Sequence, residues 1–180
     1  MRHFFLTIAL AFVLSLAPPC GHTAEIPSES QLKAAYLYNF AKFISWPEDT
    51  FANEQDPLVI GVLGNNPFSK ELAPLTERTV RGRPIKIMQF KKVEDIQACH
   101  LLYINPAIRQ LEAVLKTLHG KPIVTVGDNK NFAHHNGMIQ FVTRRERLRF
   151  IVNLDVAKSN RIKINSQLLS LAFEVLETEK

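Results

Sequence analysis

Four short apolar runs separated by helix-like stretches constrain this chain more than any other feature. Leu58-Val59-Ile60-Gly61-Val62-Leu63-Gly64, Ile85-Lys86-Ile87-Met88-Gln89-Phe90, His100 to Ile104 and Pro122 to Gly127 all have strand length, and most are apolar on both faces. The spacing predicts a helix from Phe68 to Leu75 and a short helical piece around Val93 to Ala98. A longer helix is opened by Pro106, carries Ile108, Leu111, Val114, Leu115 and Leu118 on one face, and is stopped by Gly120. Two-faced strands alternating with crossover helices specify a parallel sheet covered on both sides, each crossover right-handed. The tail departs from this pattern. Gly137 to Thr143 and Leu148 to Asn153 flank Arg144-Arg145-Glu146-Arg147, which predicts an antiparallel hairpin or edge strand with a basic turn. Val156 to Ser159 reads as helix and Arg161 to Ile164 as a short extended piece, and Asn165 caps a final helix through Leu168, Leu169, Leu171, Ala172 and Val175. The expected fold is a single three-layer α/β domain: a mostly parallel twisted sheet, helices on both faces, and an antiparallel edge strand or hairpin near the C-terminus.

A helix precedes the first strand. Ser28 or Ser30 can cap it, Gln31 stands in capping-box spacing to Ser28, and Trp46-Pro47 stops it. Only Lys33, Asn39, Lys42 and Ser45 interrupt its apolar residues from Leu32 to Ile44, so it must be covered on more than one side. Its own sheet can supply that cover, and part of the face can also pack on a partner chain.

The first 24 residues have a different character. Arg2 and His3 precede an apolar run from Phe4 to Ala17, then Pro18-Pro19-Cys20-Gly21 and a small-residue site at Thr23-Ala24. That order is the one found in a secretory signal. The run is shorter than the roughly 20 residues a membrane helix needs, and polar residues follow it. Residues 1–24 are therefore expected to be a signal peptide and residues 25–180 the exported domain. Its removal takes away Arg2 and Cys20, so the +5 formal charge of the whole chain falls by one and Cys99 remains as the single cysteine. A lone cysteine forms no bridge within one chain; it is buried and inert or pairs between chains. A pI near 9.3 permits contact with nucleic acid, but export removes nucleic acid as a partner.

Catalytic equipment is absent from the pattern. The Gly61 to Pro67 loop lies where nucleotide-binding loops lie, yet it lacks a third glycine and reads as a turn capped by Asn65 or Asn66. His134 and His135 are adjacent and diverge on any regular element, so no metal site is expected. Asp128-Asn129 follow the fourth strand, on the usual ligand edge of an open α/β sheet, and turn formation accounts for them equally well. No serine stands in a nucleophile elbow, and Cys99 has no cationic flank beyond His100. Arg144, Arg145, Arg147 and Arg149 can attract phosphates or form a solvated basic turn. The expectation is a protein without enzymatic activity, cofactor or metal.

Lys33-Ala34-Ala35-Tyr36-Leu37-Tyr38-Asn39-Phe40-Ala41-Lys42-Phe43-Ile44-Ser45-Trp46-Pro47 resembles the opening helix of the YfiR family of bacterial periplasmic proteins. The runs Leu58 to Gly64, Gly137 to Phe141, Arg149 to Asn153 and Ile162 to Leu169 resemble it as well, so the likeness spans nearly all of residues 25–180. The resemblance implies a periplasmic repressor in a Gram-negative bacterium. Such a repressor binds the periplasmic domain of an inner-membrane diguanylate cyclase, or another membrane sensor, and is released by an outer-membrane lipoprotein partner or envelope stress. Family members that sense redox state do so through paired cysteines, which the lone Cys99 does not provide. A homodimer is expected from the resemblance and from the surplus apolar face of the first helix. The expected contact surface lies around Phe150, Arg161, Ile164, Asn165 and Leu168, with core packing as the competing role for Phe150, Ile164 and Leu168. The rival function is a periplasmic small-molecule binding module using Asn65, Asn105 and Asp128 at the C-terminal edge of the sheet.

Overall fold

The computed structural model describes residues 27–178; the expected signal segment 1–24 lies outside them. Helix α1 (Glu29–Phe43) starts in a complete capping box. The Ser28 hydroxyl accepts from the Gln31 N–H at 3.2 Å, and the Gln31 side chain accepts from the Ser28 N–H at 2.7 Å. The chain turns extended at Ile44, forms the two-residue strand β1 (Ile44–Ser45), and passes through a 3-10 turn to β2 (Leu58–Leu63). There follow α2 (Ser69–Leu72), β3 (Thr79–Val80), β4 (Arg83–Phe90), β5 (Leu101–Ile104), α3 (Leu111–Leu118) and β6 (Val124–Gly127). The C-terminal part adds β7 (Ile139–Arg144), β8 (Arg147–Asn153), α4 (Leu154–Ser159), β9 (Lys163–Ile164), α5 (Ser166–Leu171) and β10 (Glu174–Leu176).

Eight strands form one sheet in the order β10-β8-β7-β6-β5-β2-β4-β3, and β1 pairs with β9 in a separate two-stranded ribbon. Strands β4, β2, β5, β6 and β7 run parallel. The β7–β8 hairpin is antiparallel, as its sequence indicates, but β8 is not the edge: β10 adds outside it, parallel to β8.

The period-2 alternation of the central strands divides the interior in two. Ile60, Val62, Leu101, Tyr103, Val124 and Val126 face a cluster completed by Leu37, Phe40 and Ala41 of α1, Leu72 of α2, and Val156 and Leu168 of α4 and α5. Leu63, Leu102 and Ile104 face the opposite cluster, closed by Val114, Leu115 and Leu118 of α3 with Phe132. These are the three layers expected.

Several elements differ from the sequence reading. The helix expected from Phe68 makes one α turn and then a 3-10 stretch, Ala73–Glu77, because Pro74 has no N–H to continue the ladder. The piece near Val93 is a 3-10 turn, Val93–Asp95. The helix expected from Pro106 begins only at Leu111: the Asn105 side chain accepts from the Ala107 N–H at 2.8 Å and holds that stretch as a turn. The final helix stops at Leu171 instead of continuing through Val175. Ala172 is extended, and the Phe173 N–H donates to the Phe150 carbonyl at 2.8 Å, so the open edge of β8 takes the segment that helical periodicity would have claimed.

Candidate functional site

At the C-terminal edge of the parallel strands, the asparagine side chains bond to loop backbone, and the Asn129 side-chain oxygen is buried without a partner among the described residues. Gly64, at φ +90°, ends β2 in a conformation that suits glycine. Asn105, at the end of β5, donates to the Asn65 carbonyl at 2.8 Å, and the Asn66 side chain accepts from the Phe68 N–H at 3.1 Å. The loop is thus a capped turn, and a hollow of about 470 Å³ bordered by Leu63, Lys91, Lys92, Ile108 and Arg109 lies at the end of β2. A ligand binding through the Asn105 side chain would have to displace its bonds to Asn65 and Ala107, whereas the Asn65 side chain is exposed.

Asp128 follows β6 and anchors a part-buried charge network. Its carboxylate accepts from the Lys33 ammonium and, through its other oxygen, from the Tyr103 hydroxyl at 3.1 Å; Lys33 also pairs with Glu29, one helical turn back, at 2.7 Å. Burial pulls the Lys33 ammonium down, but bonding and charge from Asp128 and Glu29 outweigh it and hold the pKa above its usual value. Burial, reinforced by the Asp128 charge, pushes the Tyr103 phenol up, so it stays a donor. By sequence Lys33 belongs to a narrow polar stripe on α1. In the fold it points inward and ties α1 to the sheet 95 residues away.

A second buried polar group lies at the other end of β5. The His100 ring stacks on Phe51 at 4.4 Å and 10°, the Arg83 guanidinium covers the far side of Phe51 at 3.8 Å, and the Trp46 indole donates to the His100 carbonyl at 3.0 Å. Beside this stack is a hollow of about 410 Å³ lined by Trp46, Phe51, Leu58, Val80, Arg81 and Arg83. The His100 Nδ1 accepts from the Val59 N–H at 2.9 Å, which requires a neutral ring with its proton on Nε2. Burial, then the positive charge of Arg83, pushes its pKa down to about 4. A folded pKa below the unfolded value near 6.5 means full stability above pH 6.5 and loss as pH falls toward 4, at most about 1.4 kcal/mol per pH unit. Melting temperature should therefore drop across that window, and His100→Gln should flatten the drop; an unchanged slope would assign it to other groups.

Of the five residues expected at a contact surface, four lie in one strap. Arg161, with φ +59°, donates to Asp49 at 2.9 Å; Ile164 pairs with Ile44 across the β1–β9 ribbon; the Asn165 N–H donates to the Phe43 carbonyl at 3.0 Å. The Asn165 side chain caps α5 by accepting from the Gln167 N–H at 2.7 Å. The strap thus clasps the C-terminal end of α1. Arg161 and Asn165 are exposed and Ile164 is half-buried, whereas Leu168 is buried. Phe150 is separate: it lies on β8 beneath α1, its ring 5.1 Å from that of Phe40, and it is buried. The solvent-facing part of the expected surface is therefore Arg161, Ile164 and Asn165.

Cys99 is buried where Gly61 leaves room. A Cβ on Gly61 would come within 2.8 Å of the Cys99 sulfur and 2.6 Å of Phe90. Burial pushes the thiol up to about 12, so the reactive thiolate is scarce. The Cys99 peptide should stay unmodified by iodoacetamide in the native protein and become labelled in denaturant; rapid native labelling, read by mass spectrometry, would contradict this placement. His134 and His135 are exposed, and His135 pairs with Glu112 at 3.1 Å. Among the described residues no group of three or more His, Cys, Asp or Glu is arranged to hold a metal ion. No helix among them is long and apolar enough to cross a membrane.

Comparison with known proteins gives one family: the model described as YfiR/HmsC-like matches residues 30–173, from the first turn of α1 to the residue before the edge strand β10. No curated protein matches the sequence.

Proposed function

The chain belongs to the YfiR/HmsC-like family, and from that premise we propose that it is a periplasmic negative regulator of cyclic di-GMP synthesis, acting on the periplasmic domain of an inner-membrane diguanylate cyclase. The family match over nearly the whole described domain carries this reading. Residues 1–24 direct export and are removed, leaving residues 25–180 to fold in the periplasm. Regulation is by binding and not by catalysis. The protein engages the inactive conformation of the cyclase and shifts its equilibrium by the difference in affinity between the two states, tenfold for each 1.4 kcal/mol or so. The exposed strap around Arg161, Ile164 and Asn165, clasped to the end of α1, is the contact surface, and a homodimer is the regulatory form. An outer-membrane lipoprotein competes for the repressor and releases the cyclase.

Deleting the gene should raise cellular cyclic di-GMP. The full chain should restore the low level on re-expression, whereas a version lacking residues 1–24 should not. An unchanged level in the deletion strain, with its membrane cyclases expressed, would refute the reading.

A further inference from the structure

We propose that the β7–β8 hairpin and the adjoining β10 edge form a docking surface for anionic phospholipid headgroups. Arg144, Arg145, Arg147 and Arg149 are all exposed, and none takes part in an ion pair among the described residues. Arg144 stands opposite Arg147 and Arg149 opposite Val142, so the pleat sends three guanidinium groups from one face of the hairpin and the turn presents the fourth. Glu146 and Glu174 are the acids within β7, β8, their turn and β10, against four arginines, which leaves these segments net positive. Two of the four large exposed apolar side chains among the described residues lie on the adjoining edge: Phe173, at 47% exposure, precedes β10, and Val175, at 38%, stands opposite Val152 on the face away from Arg147 and Arg149. The Arg144 guanidinium, 5.2 Å from the centre of the Phe173 ring, joins the basic and apolar parts into one patch.

The composition of the patch fits a membrane surface. Guanidinium groups bind phosphate with two parallel hydrogen bonds, and apolar side chains next to them can enter the headgroup boundary. The turn itself is an unusual one. Arg145 at φ +49° and Glu146 at φ +59° occupy the left-handed positions of a tight hairpin, where Asn-Gly is the favoured pair. A cation is thereby placed at the projecting tip. Lipid is favoured over an acidic protein segment because the arginines spread over a hairpin that reaches beyond its pairing with β6, Arg144 alone of the four also bordering a hollow with Lys33 and Lys130.

The test is co-sedimentation of the purified, processed protein with phosphatidylglycerol-containing vesicles and with pure phosphatidylcholine vesicles. Binding should occur to the anionic vesicles alone and weaken as salt rises. The pair R145E and R147E should lower the partition coefficient by about tenfold or more. Phe173→Ser should also weaken binding, with circular dichroism unchanged for both variants. Equal partition onto both vesicle types, no binding to anionic vesicles at low salt, or full binding by the charge-reversed variant would overturn the proposal; the last result would leave an acidic protein partner as the alternative ligand of the hairpin. None of these outcomes depends on a cyclase, so the lipid surface and the regulatory function fail or stand separately.

Discussion

Phe40→Ala should destabilise the domain by about 3 to 5 kcal/mol, a large share of the roughly 5 to 15 kcal/mol that holds a domain of this size together. Phe40 is fully buried, and its ring packs against Tyr36 at 5.8 Å, Phe141 at 5.8 Å and Phe150 at 5.1 Å. Those partners belong to α1, β7 and β8, so truncation opens a cavity at the seam between the first helix and the C-terminal hairpin. Surrounding elements are regular and cannot collapse into it cheaply. The melting temperature should fall by roughly 6 to 20 °C, while Phe40→Leu should cost much less. A Phe40→Ala protein with an unchanged melting temperature would mean that α1 is not seated on this sheet.

Removing one partner of the buried pair between Lys33 and Asp128 should cost a similar amount, about 3 to 5 kcal/mol, for a different reason. The side chains of Lys33 and Asp128 are only 11% and 19% exposed. Asp128→Ala strands a buried ammonium with Glu29 as its single remaining counter-charge and leaves the Tyr103 hydroxyl without its acceptor. Lys33→Met strands the carboxylate instead. Replacing both, Lys33→Met with Asp128→Leu, should lose less than the sum, because the cost lies in the unpaired charge and not in the missing attraction. The pH dependence follows from the raised Lys33 pKa: its contribution is complete below the unfolded value near 10.5 and disappears as pH rises through the higher folded value. Chemical denaturation of the two single variants and the double variant measures the coupling. Strict additivity would show that the two charges do not sense each other.

The parts legible in the sequence are those set by local pattern. The capping box at Ser28 and Gln31 forms as read, since it needs only residues three apart. Strands β2, β5 and β6 lie inside the apolar runs that announce them, and the Arg144 to Arg147 segment turns a hairpin. What stays hidden is what distant segments decide. Leu168 to Leu176 has helical periodicity throughout, and nothing local reveals that the carbonyl of Phe150 captures the chain at Phe173. Lys33 and Asp128 carry no mutual signal across 95 residues, and a lone histidine gives no hint that its Nδ1 accepts from Val59. The contact residues show the same division. Arg161 to Leu168 are neighbours in sequence and in space, but burial, which separates Leu168 and Phe150 from Arg161 and Asn165, follows from packing on α1.

The regulatory reading depends on access to the outer face of the inner membrane, and it can be tested there whichever membrane protein is the partner. Spheroplasts of a deletion strain, washed free of periplasm, expose that face directly. Purified protein lacking residues 1–24, added to the medium, should lower intracellular cyclic di-GMP in a saturable manner. A level that stays constant across all concentrations of folded protein would contradict the central claim.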